Sequence, residues 1–187
     1  MTNIIAKWSV EDYHKMIEAG ILNDRRVELI FGEIIQMSPE GPFHHFVNMS
    51  VAQYLRLLLG EQAQVSEAHP ITLSDSEPEP DIAVVRSPDT LYINRHPYAQ
   101  DIYWLIEISH STLSKDLGIK KKAYAQANIL EYWIIDIKSQ SLKVFQNPQD
   151  DNYQIEVNYK DGFISPLAFP TIQINVNKLL GKVSITR

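Results

Sequence analysis

Hydrophobic positions recur along the chain in two rhythms, one at helical spacing and one alternating or continuous, with short polar breaks between them. Ser9 followed three residues later by Asp12 fits a capping box, in which side-chain oxygens satisfy the N–H groups left over at a helix start. Tyr13, Met16 and Ile17 then supply an apolar stripe, and Gly20 suits a left-handed stop. The stretch from Arg25 to Met37 (RRVELIFGEIIQM) predicts two short strands pinched at Gly32, a hairpin. After the turn-rich segment from Pro39 to Pro42, helical spacing returns from His44 to Leu59. It is carried by Phe46, Val47, Val51, Tyr54, Leu55 and Leu58, and Gly60 closes it.

Val65 to Leu73 predicts a strand. The loop SDSEPEP behind it is irregular, because Pro78 and Pro80 withhold backbone donors. Further strands are predicted from Asp81 to Arg86 and from Ile102 to Ser109. The second, IYWLIEIS, is apolar on both faces except for Glu107, which places it at the centre of a sheet. Lys115 to Ala127 reads as a helix, and Glu131 to Ile137 as a buried strand paired through a KSQS turn with Leu142 to Phe145. Tyr153 to Tyr159, Phe163 to Ile164 and Ile172 to Val176 read as edge strands, and Asn177 to Leu180 as a short helical turn. With no repeat, low-complexity tract or linker, the expectation is one α/β domain over residues 1–187. It would hold a mixed sheet flanked by helices and one strand–helix–strand unit.

Composition narrows the function more than the fold. The 187 residues are 44% hydrophobic and 21% charged, which excludes a collagenous, disordered or mini-protein chain. Without cysteine there can be no disulfide, thiol nucleophile or zinc–thiolate site. The opening MTNIIAKWSVEDYH lacks the apolar core of a signal peptide and no run of about 18 apolar residues occurs, so a cytoplasmic protein is expected. A net charge of −6 argues against a protein that coats nucleic acid non-specifically. The six histidines show no H-x3-H or related zinc spacing, and the seven glycines are too scattered for a phosphate-binding loop. No G-x-S-x-G elbow is present, so Ser109 and Ser111 read as turn or cap residues. Tyr103, Trp104, Tyr132 and Trp133 sit inside apolar strands, where core packing is expected rather than base stacking.

Two carboxylates stand where a sheet core would not place them. Asp81 opens a strand directly after Pro80, and Glu107 interrupts an apolar run. A buried ionised carboxylate without a partner costs several kcal/mol. Glu107 must therefore be paired, protonated, exposed at a strand end or bound to a metal. If the two strands are neighbours, both acids converge, and two carboxylates plus waters suit Mg²⁺. In the following helix Asp116, Lys120 and Tyr124 are spaced four apart and share a face, while Lys120, Lys121 and Lys122 read equally as a solvated charge run.

The ordered set RRVELIFGEIIQMSPEGPFH, EPEPDIAVVR and LIEISHSTLSKDLGIKKKAYAQANILEYWIID resembles the Uma-type restriction endonuclease family, from about Trp8 to the FPTIQINV stretch. The resemblance implies a PD-(D/E)XK, restriction-endonuclease-like core and a metal-dependent endonuclease. Pro80-Asp81 matches the "PD" half-motif and Glu107 the acid of the next core strand, which makes both expected ligands of Mg²⁺ or Mn²⁺. The parent pattern has a lysine two residues after that acid. Here Ser109 stands there, and the D-x3-K-x3-Y spacing of Asp116, Lys120 and Tyr124 implies that the lysine has moved to the helix as Lys120. Lys121 or Lys122 could substitute if the helix were rotated. Glu28 and His44 match recurring positions near the site, with Ser109 and Tyr124 in support, whereas His110 departs from the family's more usual Pro or Asp. The implied substrate is DNA, cut by a possible homodimer. The alternative is a catalytically silent, homodimeric interaction protein that keeps the nuclease fold. The four lysines between Lys115 and Lys122, against one Asp, imply a local positive patch that would offset the global acidity.

Overall fold

The computed structural model describes residues 6–182. Helix α1 (Val10–Glu18) starts at Ser9, whose hydroxyl accepts from the Asp12 N–H at 3.1 Å while the Asp12 carboxylate accepts from the Ser9 N–H at 3.2 Å. The hairpin follows as β1 (Val27–Ile30) and β2 (Glu33–Gln36). Tyr13 packs with Leu22 and Leu29, and Met16, Val27 and Ile34 close around them. Ile17 was expected in that stripe but is exposed. The cause is that α1 rests on the small hairpin and buries only a narrow face.

Phe31 and Gly32 connect the hairpin strands with φ of 52° and 71°, the pair of positive values that a two-residue turn of matching twist requires. The Gly32 N–H donates to Asp75 O, and its carbonyl accepts from Trp8 N, both at 2.9 Å. A Cβ on Gly32 would lie 2.9 Å from the Trp8 carbonyl oxygen. Gly32→Ala is therefore expected to lower stability by more than ~1 kcal/mol, from strain and from the clash. A urea midpoint equal to that of the wild type would contradict this.

Helix α2 (Pro42–Leu59) begins two residues before the expected start, because Pro42 suits its first turn. Its buried stripe runs through Val47, Val51, Leu55 and Leu59, so Phe46 falls outside it and stacks on exposed Phe43 instead. Six strands form the main sheet: β3 (Gln64–Glu67), β4 (Ile82–Val85), β5 (Ile102–Ser109), β6 (Glu131–Asp136), β7 (Ser141–Gln149) and β8 (Asn152–Tyr159). Their spatial order is also their chain order, and β5–β6 is the parallel pair in an otherwise antiparallel ladder. Strand β3 ends at Glu67, short of the expected Leu73. Ala68 takes a positive φ of 47° ahead of Pro70, and the chain folds into its own loop through Ile71 N–H to Pro78 O at 3.0 Å.

The parallel pair needs a crossover, and it is helical. Helix α3 (Leu113–Lys115) runs into a π-helical stretch over Asp116–Lys120 and then α4 (Lys121–Gln126). The sequence predicts a regular helix here; the π stretch is a departure. Alternate sheet residues serve two faces. Ile82, Val84, Trp104, Ile106, Trp133 and Ile135 pack under α2. Ala83, Leu105, Tyr132 and Ile134 pack against Tyr124 and Ala125 of α4. The small pair β9 (Phe163–Ile164) and β10 (Ile174–Asn175), with α5 (Val176–Leu179), completes the α2 side. The whole is a mixed α+β architecture with a six-stranded central sheet flanked by helices. No described helix is long and apolar enough to cross a membrane.

Candidate active site

Asp81 immediately precedes β4, and Ile82 pairs with Ile106, so Asp81 and Glu107 fall at adjacent cross-strand positions. Both line one pocket of about 390 Å³, together with His44, Glu79, Asp116 and Lys120. Asp81 is half-buried; one carboxylate oxygen accepts from the Ile108 N–H at 2.6 Å and contacts His44 Nε2 at 3.1 Å. It can do so because β4 begins at Ile82, opposite Ile106, which leaves the end of β5 without a β4 partner.

Glu107 is 3% exposed and Lys120 4%. Lys120 Nζ and the Tyr124 hydroxyl both donate to Glu107 Oε1, each at 2.7 Å. Lys120 Nζ also reaches Glu79 O at 3.3 Å and Glu28 Oε2 at 3.6 Å. Glu28, on the distant hairpin, is buried too, accepts from the Glu79 N–H at 3.1 Å and pairs with Lys115. Thus Glu28 links hairpin, proline loop and crossover helix to the buried lysine.

Burial pushes the Glu107 carboxyl well above its ordinary range, and the nearby Asp81 and Asp116 add to that, while Lys120 opposes it. Burial disfavours the charge on Lys120, yet Glu107, Glu28, Asp81 and Asp116 outweigh it and hold the ammonium above its ordinary value. Tyr124 stays protonated, raised by burial and by Glu107, and so remains a donor. Burial alone would lower His44, but Asp81 and Glu40 raise it to about 9, which makes it a cation at neutral pH. Asp116 is raised by burial, although Ser109 and Thr112 hydroxyls donate to it.

The structure therefore brings together Asp81, Glu107, Lys120, Glu28, His44 and Tyr124, and gives Ser109 a place as donor to Asp116. Lys121 and Lys122 point away, toward Glu156 at 3.9 Å and Asp151 at 3.2 Å. They do not substitute for Lys120. The expected positive patch is corrected as well: each of the four helix lysines faces a carboxylate, so little uncompensated charge remains on that helix. Residue-by-residue reading also passed over Glu40, Asn48 and Lys115. Glu40, just ahead of α2, reaches His44 Nδ1 at 2.9 Å, and its place four residues before His44 is the signal that could have found it; Asn48 has none in the sequence.

Among the described residues no group of three or more His, Asp or Glu side chains is arranged to hold a metal ion by itself. Two carboxylates with water and substrate oxygens completing the shell are the donor set that Mg²⁺ accepts, since it dehydrates reluctantly. The residues fit such an ion on a second ground. Burial raises Glu107, with Asp81 and Asp116 adding to it, and a cation would offset both the buried charge and the repulsion.

A six-stranded mixed sheet with helices on both faces is a restriction-endonuclease-like fold, and two acids on neighbouring strands meet a buried lysine at one end of it. A crystal structure from Anabaena variabilis, described as a "putative nuclease belonging to DUF820", is similar with a TM-score of 0.63 and 20% identity. The likeness covers 83% of this chain and 89% of that one. The family model Uma2, described as "Putative restriction endonuclease", matches residues 10–177, and the chain belongs to that family. None of the curated proteins matches it.

Proposed function

We propose that this chain is a nuclease that hydrolyses phosphodiester bonds in DNA with a divalent cation, Mg²⁺ or Mn²⁺, held by Asp81 and Glu107. The observation that carries the reading is the adjacent cross-strand placement of those acids with Lys120 bonded to Glu107 at 2.7 Å. Family membership supports the nuclease class and a divalent metal in general. When bound, such an ion lowers the pKa of water and neutralises charge that develops on the phosphate.

The chain's own groups have separable tasks. The Ile108 N–H fixes the Asp81 carboxylate, and the Tyr124 hydroxyl fixes Glu107 through Oε1. Lys120 contributes a positive charge at a position set by Glu107 and Glu28, where it can meet the phosphate or the attacking water. Cationic His44 sits against the Asp81 carboxylate, with Nε2 3.1 Å from it, and helps hold it in place. Ser109 and Thr112 orient Asp116 behind the lysine.

Supercoiled DNA incubated with purified protein should be nicked or linearised in Mg²⁺ or Mn²⁺ and left intact in EDTA. Intact DNA under all conditions, with no metal-linked rise in melting temperature, would favour the silent scaffold. A pH dependence follows with a definite sign. A metal must displace the proton that burial retains on Glu107, so affinity should rise with pH beyond the ordinary carboxylate range and level off once that group is ionised. Titration calorimetry in two buffers of different ionisation enthalpy reads the released proton; affinity independent of pH would contradict the assignment.

A further inference from the structure

Four buried polar side chains line the pocket: Asn48, Glu107, Asp116 and Lys120. Glu107, Asp116 and Lys120 are hydrogen-bonded or ion-paired. Asn48 is 5% exposed, and its Oδ1 is buried without a hydrogen-bond partner among the described residues. A buried amide normally finds partners, and leaving one unmet costs roughly 1–3 kcal/mol. Its two ends are interchangeable by rotation, so the amide can present either N–H groups or oxygen to the pocket.

The same wall carries the first turn of α2. Gly41, Pro42, Phe43 and His44 line the pocket, and Gly41 offers no capping side chain. The helix is 18 residues long, so its N-terminal end carries the full positive end of the dipole. Side chains on a helix lean toward its N-terminus, which directs Asn48 back toward that turn.

Resting on the nuclease reading above, we infer that Asn48 and the N-terminal turn of α2 form the phosphate-binding side of the pocket. There the Asn48 Nδ2–H donates to a non-bridging oxygen of the DNA backbone, next to the carboxylates that take the cation, since His44 of the same turn meets Asp81 at 3.1 Å. A neutral amide and backbone N–H groups suit this place. They hold a phosphate without drawing the acids away from the metal, and helix N-termini are common anion sites.

The test separates a binding role from a packing role. Asn48→Leu removes the amide while keeping a similar volume, so the melting temperature should hold or rise, since an unmet polar group is gone. Binding of a fluorescein-labelled DNA duplex, followed by anisotropy in EDTA at low salt, should weaken about ten- to a hundredfold, the worth of one hydrogen bond to a charged group. Asn48→Asp, which turns a charge toward the phosphate, should weaken it further. In Mg²⁺ the loss should fall on KM more than on kcat. Unchanged affinity in Asn48→Leu, with or without a lower melting temperature, overturns the inference while leaving the nuclease reading intact. Absence of DNA binding and cleavage by the wild-type protein overturns the nuclease reading and this inference together.

Discussion

Glu107→Gln is expected to abolish metal-dependent DNA cleavage, by ~10³-fold or more, while the protein stays folded. The amide matches the carboxylate in size and still accepts from Tyr124 and Lys120, whose bonds to Oε1 are each 2.7 Å. Lys120 keeps Glu28 as a counter-charge. What is lost is the negative charge that holds the cation, and with it several kcal/mol of transition-state stabilisation. Asp81→Ala should lose activity to a similar extent. Its stability should also fall slightly, because the Ile108 N–H and His44 lose their acceptor. Initial rates of plasmid nicking, read beside melting curves, check both; substantial activity in Glu107→Gln would remove it from the reaction.

The largest effect on stability is expected at Lys120. Lys120→Met keeps the aliphatic stem but leaves Glu107 and Glu28 buried, 3% and 1% exposed, without that counter-charge. Removing one partner of a buried ion pair costs ~3–5 kcal/mol, which at this chain length lowers the melting temperature by roughly 10 °C. Protonation of Glu107 will absorb part of the cost, since its carboxyl is already raised. The loss should therefore be greatest at high pH, where that proton is hardest to keep, and smaller as pH falls toward the ordinary carboxylate range. Divalent cation should restore more stability to Lys120→Met than it adds to the wild type, because it replaces a missing charge. Melting temperatures across pH, with and without Mg²⁺, decide this. A variant as stable as the wild type at every pH would show that the buried lysine is not balancing those acids.

Local chemistry made much of the fold legible. The Ser9–Asp12 box, the hairpin around Gly32 and the buried strands β5 and β6 each rest on residues within a few positions of one another. Where expectation failed, the cause was tertiary. Ile17 and Phe46 are apolar at helical spacing, yet the surfaces their helices meet are too narrow to cover them. Strand β3 ends early because Ala68 and Pro70 turn the chain into a loop that buries Ile71 and Leu73 by another route.

The site divides in the same way. Asp81, Glu107 and Lys120 stand out in the sequence because charged residues interrupt apolar strands or recur at helical spacing. The π-helical stretch that carries Asp116 to Lys120 has no such signature, and its winding accompanies the burial of both residues. The link from Glu28 to Lys120 joins residues 92 positions apart and exists only because the hairpin docks on the proline loop, through Leu29 and Glu77. Asn48 is more hidden still. An asparagine in a helix carries no chemical mark until the structure shows it buried without a partner.

The most direct measurement is a titration of metal-free protein with Mn²⁺, followed by electron paramagnetic resonance, in the wild type, Asp81→Ala and Glu107→Gln. The account predicts saturable binding in the wild type, marked weakening in each variant, and competition by Mg²⁺. Equal Mn²⁺ binding in all three proteins would contradict it.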